Sequence, residues 1–287
     1  MRTGILGRTA AAMAVVTVLA GAAAAQPSST LTDYVLFAED WLKVKEVLVP
    51  CGDIGVNTSA SFLKTSRGIT VTTGDCVGNL VRSDGLGSCV QLFANTAINP
   101  FQPPIPFTPP VLSGDLATNC GFPVAFPACD PFNPVTVPAG TVMALPPGTY
   151  GSLTVEGFFD TINQVPVFGV LQLTGGSYTF CNVKLGRYAQ VRAQAPVTLN
   201  VNGKLKMQAS NYFGPDTGAV ASDVVVFVNG TSAKYARSSQ VIAELCAPNA
   251  RCGLPPDGDH LGGVWCDRVK ATKTTIGCAS PGGAFLD

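Results

Sequence analysis

The tightest group of side chains able to hold an ion or pass a proton is Asp257-Gly258-Asp259-His260. Two carboxylates one residue apart could supply oxygen ligands to a calcium ion, and the imidazole could serve as an acid or base. Pro255-Pro256 precedes the group and Gly262-Gly263 follows it, which is the chemistry of a solvated turn. Asp257, Asp259 and His260 are therefore a candidate polar or ion site, and no catalytic residue is assigned. His260 is the single histidine, and the chain has no Gly-x-Ser-x-Gly elbow, so serine catalysis has no support. A glycan hydrolase needs two facing carboxylates; nothing in the spacing of Asp115, Glu156, Asp160 and Asp223 requires them to meet. Phe158-Phe159 and Tyr212-Phe213 could stack on sugar rings or act as lids over a core.

These residues sit in a chain of low charge. Asp, Glu, Lys and Arg make up 13% of it and the formal net charge is zero, about half the usual charged share of ~25%. Gly (31) and Pro (22) are plentiful, which suits many short strands and turns. The net charge is zero and there is no basic stripe, so nucleic acid is a poor partner. Met1-Arg2 and Arg8, a small apolar run over 9–20 and the small residues 21–25 have the order of a secretory leader ending near Ala25. Residues 1–25 are read as a signal peptide and 26–287 as one domain with no membrane span.

The elements that must position any site repeat. Asn182-Val183-Lys184-Leu185 returns as Asn202-Gly203-Lys204-Leu205, and Val201-Asn202-Gly203 as Val228-Asn229-Gly230. Gly52-Asp53 returns as Gly74-Asp75 in an N-terminal block. Units of about twenty residues have room for two or three short strands and no added helix, and such units stack into solenoids. Val197-Thr198-Leu199-Asn200-Val201 and Val224-Val225-Val226-Phe227-Val228 have strand composition. The fold class expected is all-β, a right-handed parallel β-helix. Two insertions are expected within it, one at Phe158-Phe159-Asp160 and one from Asn211 to Thr217. Prolines concentrate in residues 99–148, which read as a long Pro-rich loop leaving the solenoid and rejoining it. Glu39-Asp40-Trp41 and Pro281-Gly282-Gly283 are candidate end caps.

Ten cysteines with no Cys-x-x-Cys pair read as disulfides and not as a metal site. In a twenty-residue register Val226, Cys246 and Cys266 share a column. Equivalent Cα atoms of adjacent strands lie ~4.8 Å apart, so Cys246–Cys266 is an expected disulfide. Cys120 and Cys129 are expected to close a local loop, and Cys51 and Cys76 lie near equivalent turns of two units. No metal and no cofactor is implied.

The passages Asn182-Val183-Lys184-Leu185-Gly186-Arg187-Tyr188-Ala189, Ser222-Asp223-Val224-Val225-Val226-Phe227-Val228, Cys246-Ala247-Pro248-Asn249-Ala250 and Gly52-Asp53-Ile54-Gly55-Val56-Asn57 resemble a group of secreted bacterial parallel β-helix proteins. That group has repeated strand and Leu-Gly-Lys-type turns, is similar in style to bactofilins and adhesin stalks, and mostly lacks an assigned activity. The resemblance implies an exported, non-enzymatic structural or interaction protein of the bacterial envelope or surface. Its partners would be cell-surface polysaccharide, other envelope proteins or further copies of itself. The alternative is a β-helix that binds or cleaves polysaccharide. The expected location is secreted, periplasmic or at the cell surface.

Overall fold

Val224–Val228 shows how the strands are placed. Val224, Val226 and Val228 face the interior, while Val225 and Phe227 belong to a second apolar cluster on the outer side. A parallel strand covered on both faces reads as an unbroken apolar run, and this one does. In the computed structural model, which describes residues 26–216 and 220–278, such strands stack into a 25-stranded parallel β-helix. The expected leader and the candidate cap at 281–283 lie outside the described residues. Glu39, Asp40 and Trp41 lie within the strand Tyr34–Val49, which has neighbours on both sides, and so cap nothing.

Each turn of the helix contributes strands to three faces. One face carries Gly148–Thr149, Gly176–Phe180, Val197–Val201 and Val224–Val228 in sequence. Its inward column runs Tyr178, Leu199, Val226, Leu245, Val264, Leu36 and Ile54, all at or near zero exposure. Burying each such side chain stabilises the fold by about 1.5–3 kcal/mol. The turns between strands also stack. A Cβ on Gly230 would lie 2.0 Å from the Gly203 carbonyl oxygen, so the Asn-Gly repeat marks turns that approach too closely for any side chain.

The order of the coils is not the order of the chain. The stack starts at Val135–Val137 and climbs to Val264–Thr272 and Thr274–Gly277. There the N-terminal strand Tyr34–Val49 pairs in parallel with Val264–Thr272, and the coils continue through Phe62–Val71 and Leu80–Arg82 to Thr96–Ile98. Of the Pro-rich segment 99–148, only residues 99–134 run as a loop, descending the outside of the stack; the rest already forms the strands Val135–Val137, Val142–Leu145 and Gly148–Thr149. Ile105 bonds Leu92, Val111 and Leu112 bond Asn57, Cys120 joins Cys246, Phe122 packs edge-on against Phe227, and Cys129 joins Cys181. This strap covers an outer cluster that includes Phe37, Phe93, Phe227 and Trp265. Its one short helix, Leu116–Asn119, is capped by Asp115, whose carboxylate accepts from the Thr118 amide at 2.7 Å.

The repeat register differs from the sequence reading by one or two residues in places. The twenty-two-residue spacing of the N-terminal block is the observed pairing, Ile54 beside Cys76. Val201 pairs with Val228, as the Asn-Gly repeat implies. Tyr178, however, pairs with Leu199, and Ala247 with Cys266. Cys246 is opposite Trp265 on the outer side, whereas Cys266 faces the core. A one-residue slip reverses the face of every side chain, so Cys246–Cys266 cannot form. The disulfides are Cys51–Cys278, Cys76–Cys89, Cys120–Cys246, Cys129–Cys181 and Cys252–Cys266. The expected pairing of Cys120 with Cys129 and of Cys51 with Cys76 is corrected as well. The strap carries Cys120 and Cys129 past different coils, and Cys51 meets the last described residue. Of the two expected insertions, the first is the antiparallel hairpin Gly157–Asp160 with Val165–Phe168. The second is corrected over Tyr212–Pro215, which is a regular strand paired on both sides.

Candidate functional site

The Asp257-Gly258-Asp259-His260 group does not converge. Asp257 sits in a turn at a φ of 57° and its amide donates to the Lys273 carbonyl at 2.6 Å. Asp259 points outward between Gln240 and Thr275, and His260 points into the core between Val241 and Ile276. The His260 ring is fully buried beside the backbone of Ala243 and Gly263, and it stacks on Tyr235 at 6.1 Å. Burial pulls its pKa down to about 4, so it is a neutral core residue at pH 7. Among the described residues no three His, Cys, Asp or Glu side chains are grouped to hold a metal ion. The aromatic pairs separate too. Phe158 is half exposed on the hairpin, Phe213 is buried, and Tyr212 lies under the Arg192 guanidinium at 5.5 Å.

A different set of residues comes together. The second face of the helix runs from Val135–Val137 through Leu153–Val155, Val183–Leu185, Leu205–Met207 and Ser232–Lys234 to Thr96–Ile98. Its outward centre positions, in register, are Thr136, Thr154, Lys184, Lys206, Lys234, Gly253, Lys270, Lys43, Lys64, Arg82 and Ile98. Seven cations thus form one straight column, broken at a single glycine. Arg251 and Arg268 extend it sideways, followed in the same row by Trp41 and Phe62. No outward strand position of this face, among the described residues, is Asp or Glu. The acids lie at the corners, where Asp40 and Asp267 pair with Arg268 and Glu46 pairs with Arg67 and Lys273. None of the seven column cations is in a salt bridge among the described residues.

Composition conceals this face. Lys184, Lys206 and Lys234 are more than twenty residues apart in the chain, yet adjacent strands place them ~4.8 Å apart. The absence of a linear basic stripe is therefore no guide to the surface. The signal available in the sequence is Lys at the centre of successive strand triplets, as in Val183-Lys184-Leu185 and Leu205-Lys206-Met207. Like charges directly opposite on neighbouring strands are destabilising. At this spacing each adjacent pair is repelled by somewhat under ~1 kcal/mol in water, and an anion laid along the column relieves that repulsion.

Aromatic rings flank the column. Trp41 and Phe62 lie nearly parallel, 16° apart with centroids at 6.4 Å, and the Lys43 ammonium sits 4.5 Å from the Trp41 centroid. The Arg251 guanidinium is 5.3 Å from the same ring. Near the other end of the column the hairpin brings Phe158, Phe159, Arg187 and Tyr188 around a shallow depression beside Lys184. The third face carries no such row of cations: one of its columns runs Val142, Val170, Gln190, Tyr212, Gln240, Asp259, Thr275, Leu48 and Thr70, and its single charged residue is Asp259. Among the described residues no helix is long and apolar enough to cross a membrane.

No family profile matches the chain, and no curated protein matches it. Two solved structures are similar over most of both lengths. One is an ice-binding protein from the Antarctic ascomycete Antarctomyces psychrotrophicus, 14% identical, covering 88% of this chain and 97% of that one at a TM-score of 0.35. The other is an ice-binding protein from an Antarctic biological consortium, 12% identical, covering 90% and 93% at a TM-score of 0.36. These findings replace the resemblance to secreted bacterial proteins of the bactofilin or adhesin-stalk style. They also overturn the expectation of a structural protein of the bacterial envelope that rested on it.

Proposed function

We propose that this protein is exported and binds an acidic polysaccharide, without cleaving it, along its cationic face. The observation that carries the reading is the column from Lys184 to Arg82, one cation per coil with one interruption. Its straightness suits an extended, stiff polymer carrying a negative charge at regular intervals. Trp41 and Phe62 offer ring faces beside the charges, where sugar rings can stack. Five disulfides suit an oxidising compartment outside the cytosol. Hydrolysis would call for two carboxylates at the bound glycan, and the outward positions of this face hold none.

Affinity electrophoresis through gels containing polygalacturonate, dextran sulfate, neutral dextran or DNA tests the proposal. The protein should be retarded by the acidic glycans and not by dextran, with the retardation falling steeply as salt rises. The double variants Lys184→Gln/Lys206→Gln and Lys43→Gln/Lys64→Gln should each lose most of it. Migration unchanged by acidic glycans, equal retardation of the variants, or stronger retardation by DNA would overturn the reading, the last in favour of a nucleic-acid-binding face.

A further inference from the structure

The single break in the cationic column is a built feature. Gly253 stands between Lys234 and Lys270, and where its side chain would project, a depression of about 610 Å³ opens. Lys234, Arg237, Arg251 and Lys270 surround it, Pro255-Pro256 forms one wall, and among the described residues no acidic side chain lines it. Such a volume accommodates a sugar ring with a charged substituent.

The fold does not require glycine there. Gly253 has no positive φ, and a Cβ built on it would meet the Lys234 Cγ at 3.9 Å, an ordinary contact. This contrasts with Gly230, where a Cβ would collide with backbone. The missing side chain therefore has its consequence at the surface, as a gap in an otherwise regular row. Two guanidinium forks and two ammonium groups around one concavity suit an oxyanion: Arg binds it in bidentate fashion and Lys as a point charge. Arg251 is oriented by its contact with the Trp41 ring, which places a stacking surface beside the depression.

We infer that the depression at Gly253 is a subsite for one anionic sugar residue, bearing a sulfate ester or a carboxylate, and that it sets the register of a polymer on the cationic face. This rests on the reading of that face as a polyanion surface, but the subsite is testable separately. The probes are galactose 6-sulfate, glucuronate and neutral galactose, titrated into the ¹⁵N-labelled protein while the Gly253 and Lys270 amide signals are followed. Saturable shifts with one or both acids and none with galactose are expected, and the acid that acts names the substituent. Gly253→Leu fills the depression while leaving every cation in place. It should weaken the monosaccharide roughly tenfold or more, the loss of about one charge-assisted hydrogen bond, yet keep retardation by dextran sulfate within about twofold. Should Gly253→Leu not fold, the exposed double variant Lys234→Gln/Arg237→Gln serves for the monosaccharide arm. Absence of saturable shifts with both acids, equal shifts with galactose, or undiminished binding by the variants would overturn the subsite. If retardation by acidic polymers persists in that case, the face stands without it; if the acids bind but polymers do not, the subsite stands and the extended face falls.

Discussion

The indole Nε1 of Trp265 donates a hydrogen bond to the backbone carbonyl of Tyr34 at 2.8 Å, across 231 residues of chain. This bond lies where the C-terminal coil meets the N-terminal strand, and so where the two blocks of the chain become one stack. Trp265→Phe keeps an aromatic ring in the outer cluster but leaves a buried carbonyl unpartnered, which should lower stability by about 1–3 kcal/mol. Trp265→Ala should lose about 3–5 kcal/mol. Urea unfolding followed by far-UV circular dichroism measures both, and equal midpoints for Trp265→Phe and the parent would show that the bond contributes nothing.

Asn57 ties the strap to the coils. Its side-chain oxygen accepts from the Leu112 amide at 2.8 Å, its own carbonyl accepts from the Val111 amide, and its Nδ2 donates to both Glu39 carboxylate oxygens at 3.1 Å. Burial pushes the Glu39 carboxyl above its usual range, and the Asn57 bond opposes that shift. Asn57→Ala should destabilise by about 1–3 kcal/mol and speed hydrogen exchange at the Leu112 amide first. Unchanged protection at Leu112 would mean that the strap is held elsewhere.

Cys120–Cys246 fastens the strap helix to the outer face with a sequence separation of 126. Replacing both cysteines by Ala should cost about 2–5 kcal/mol, because a long loop is released in the unfolded chain. Non-reducing peptide mapping of the parent protein should recover Cys120 with Cys246 and Cys252 with Cys266.

His260 predicts an acid-sensitive core. Its folded pKa of about 4 lies below the 6.5 of an exposed imidazole because burial disfavours the cation. The unfolded chain therefore binds more protons between those values, and stability falls as pH drops from 6.5 towards 4. The loss across that window should be roughly 2–3 kcal/mol. His260→Phe, which can keep the stack on Tyr235, should flatten that part of the pH profile. Parallel profiles for the variant and the parent would assign the acid sensitivity to other groups.

The stacked-strand architecture was legible because its signals are local. Val224-Val225-Val226-Phe227-Val228 declares a doubly covered strand by composition alone, and the Asn-Gly pairs at 202–203 and 229–230 declare turns that repeat. The disulfides were not legible. Their pairing depends on register to the single residue, and between Cys246 and Cys266 the alternation of side chains turns a slip of one into opposite faces. The cationic face stayed hidden for a related reason, since Lys43 and Lys270 are sequence-distant and become neighbours only through the joining of the two ends.

By itself, then, the sequence determined that this chain builds short strands in stacked units, with cysteines to staple them, because strand preference and turn chemistry act over a few residues. Only the tertiary structure decided which coil follows which, where residues 99–134 lie, and which side chains share a column. Those outcomes rest on pairings between distant segments, where the energy of one backbone ladder differs little from the next. The burial of whole apolar columns selects among them, and the ordered row of Lys side chains on the outside follows from that selection.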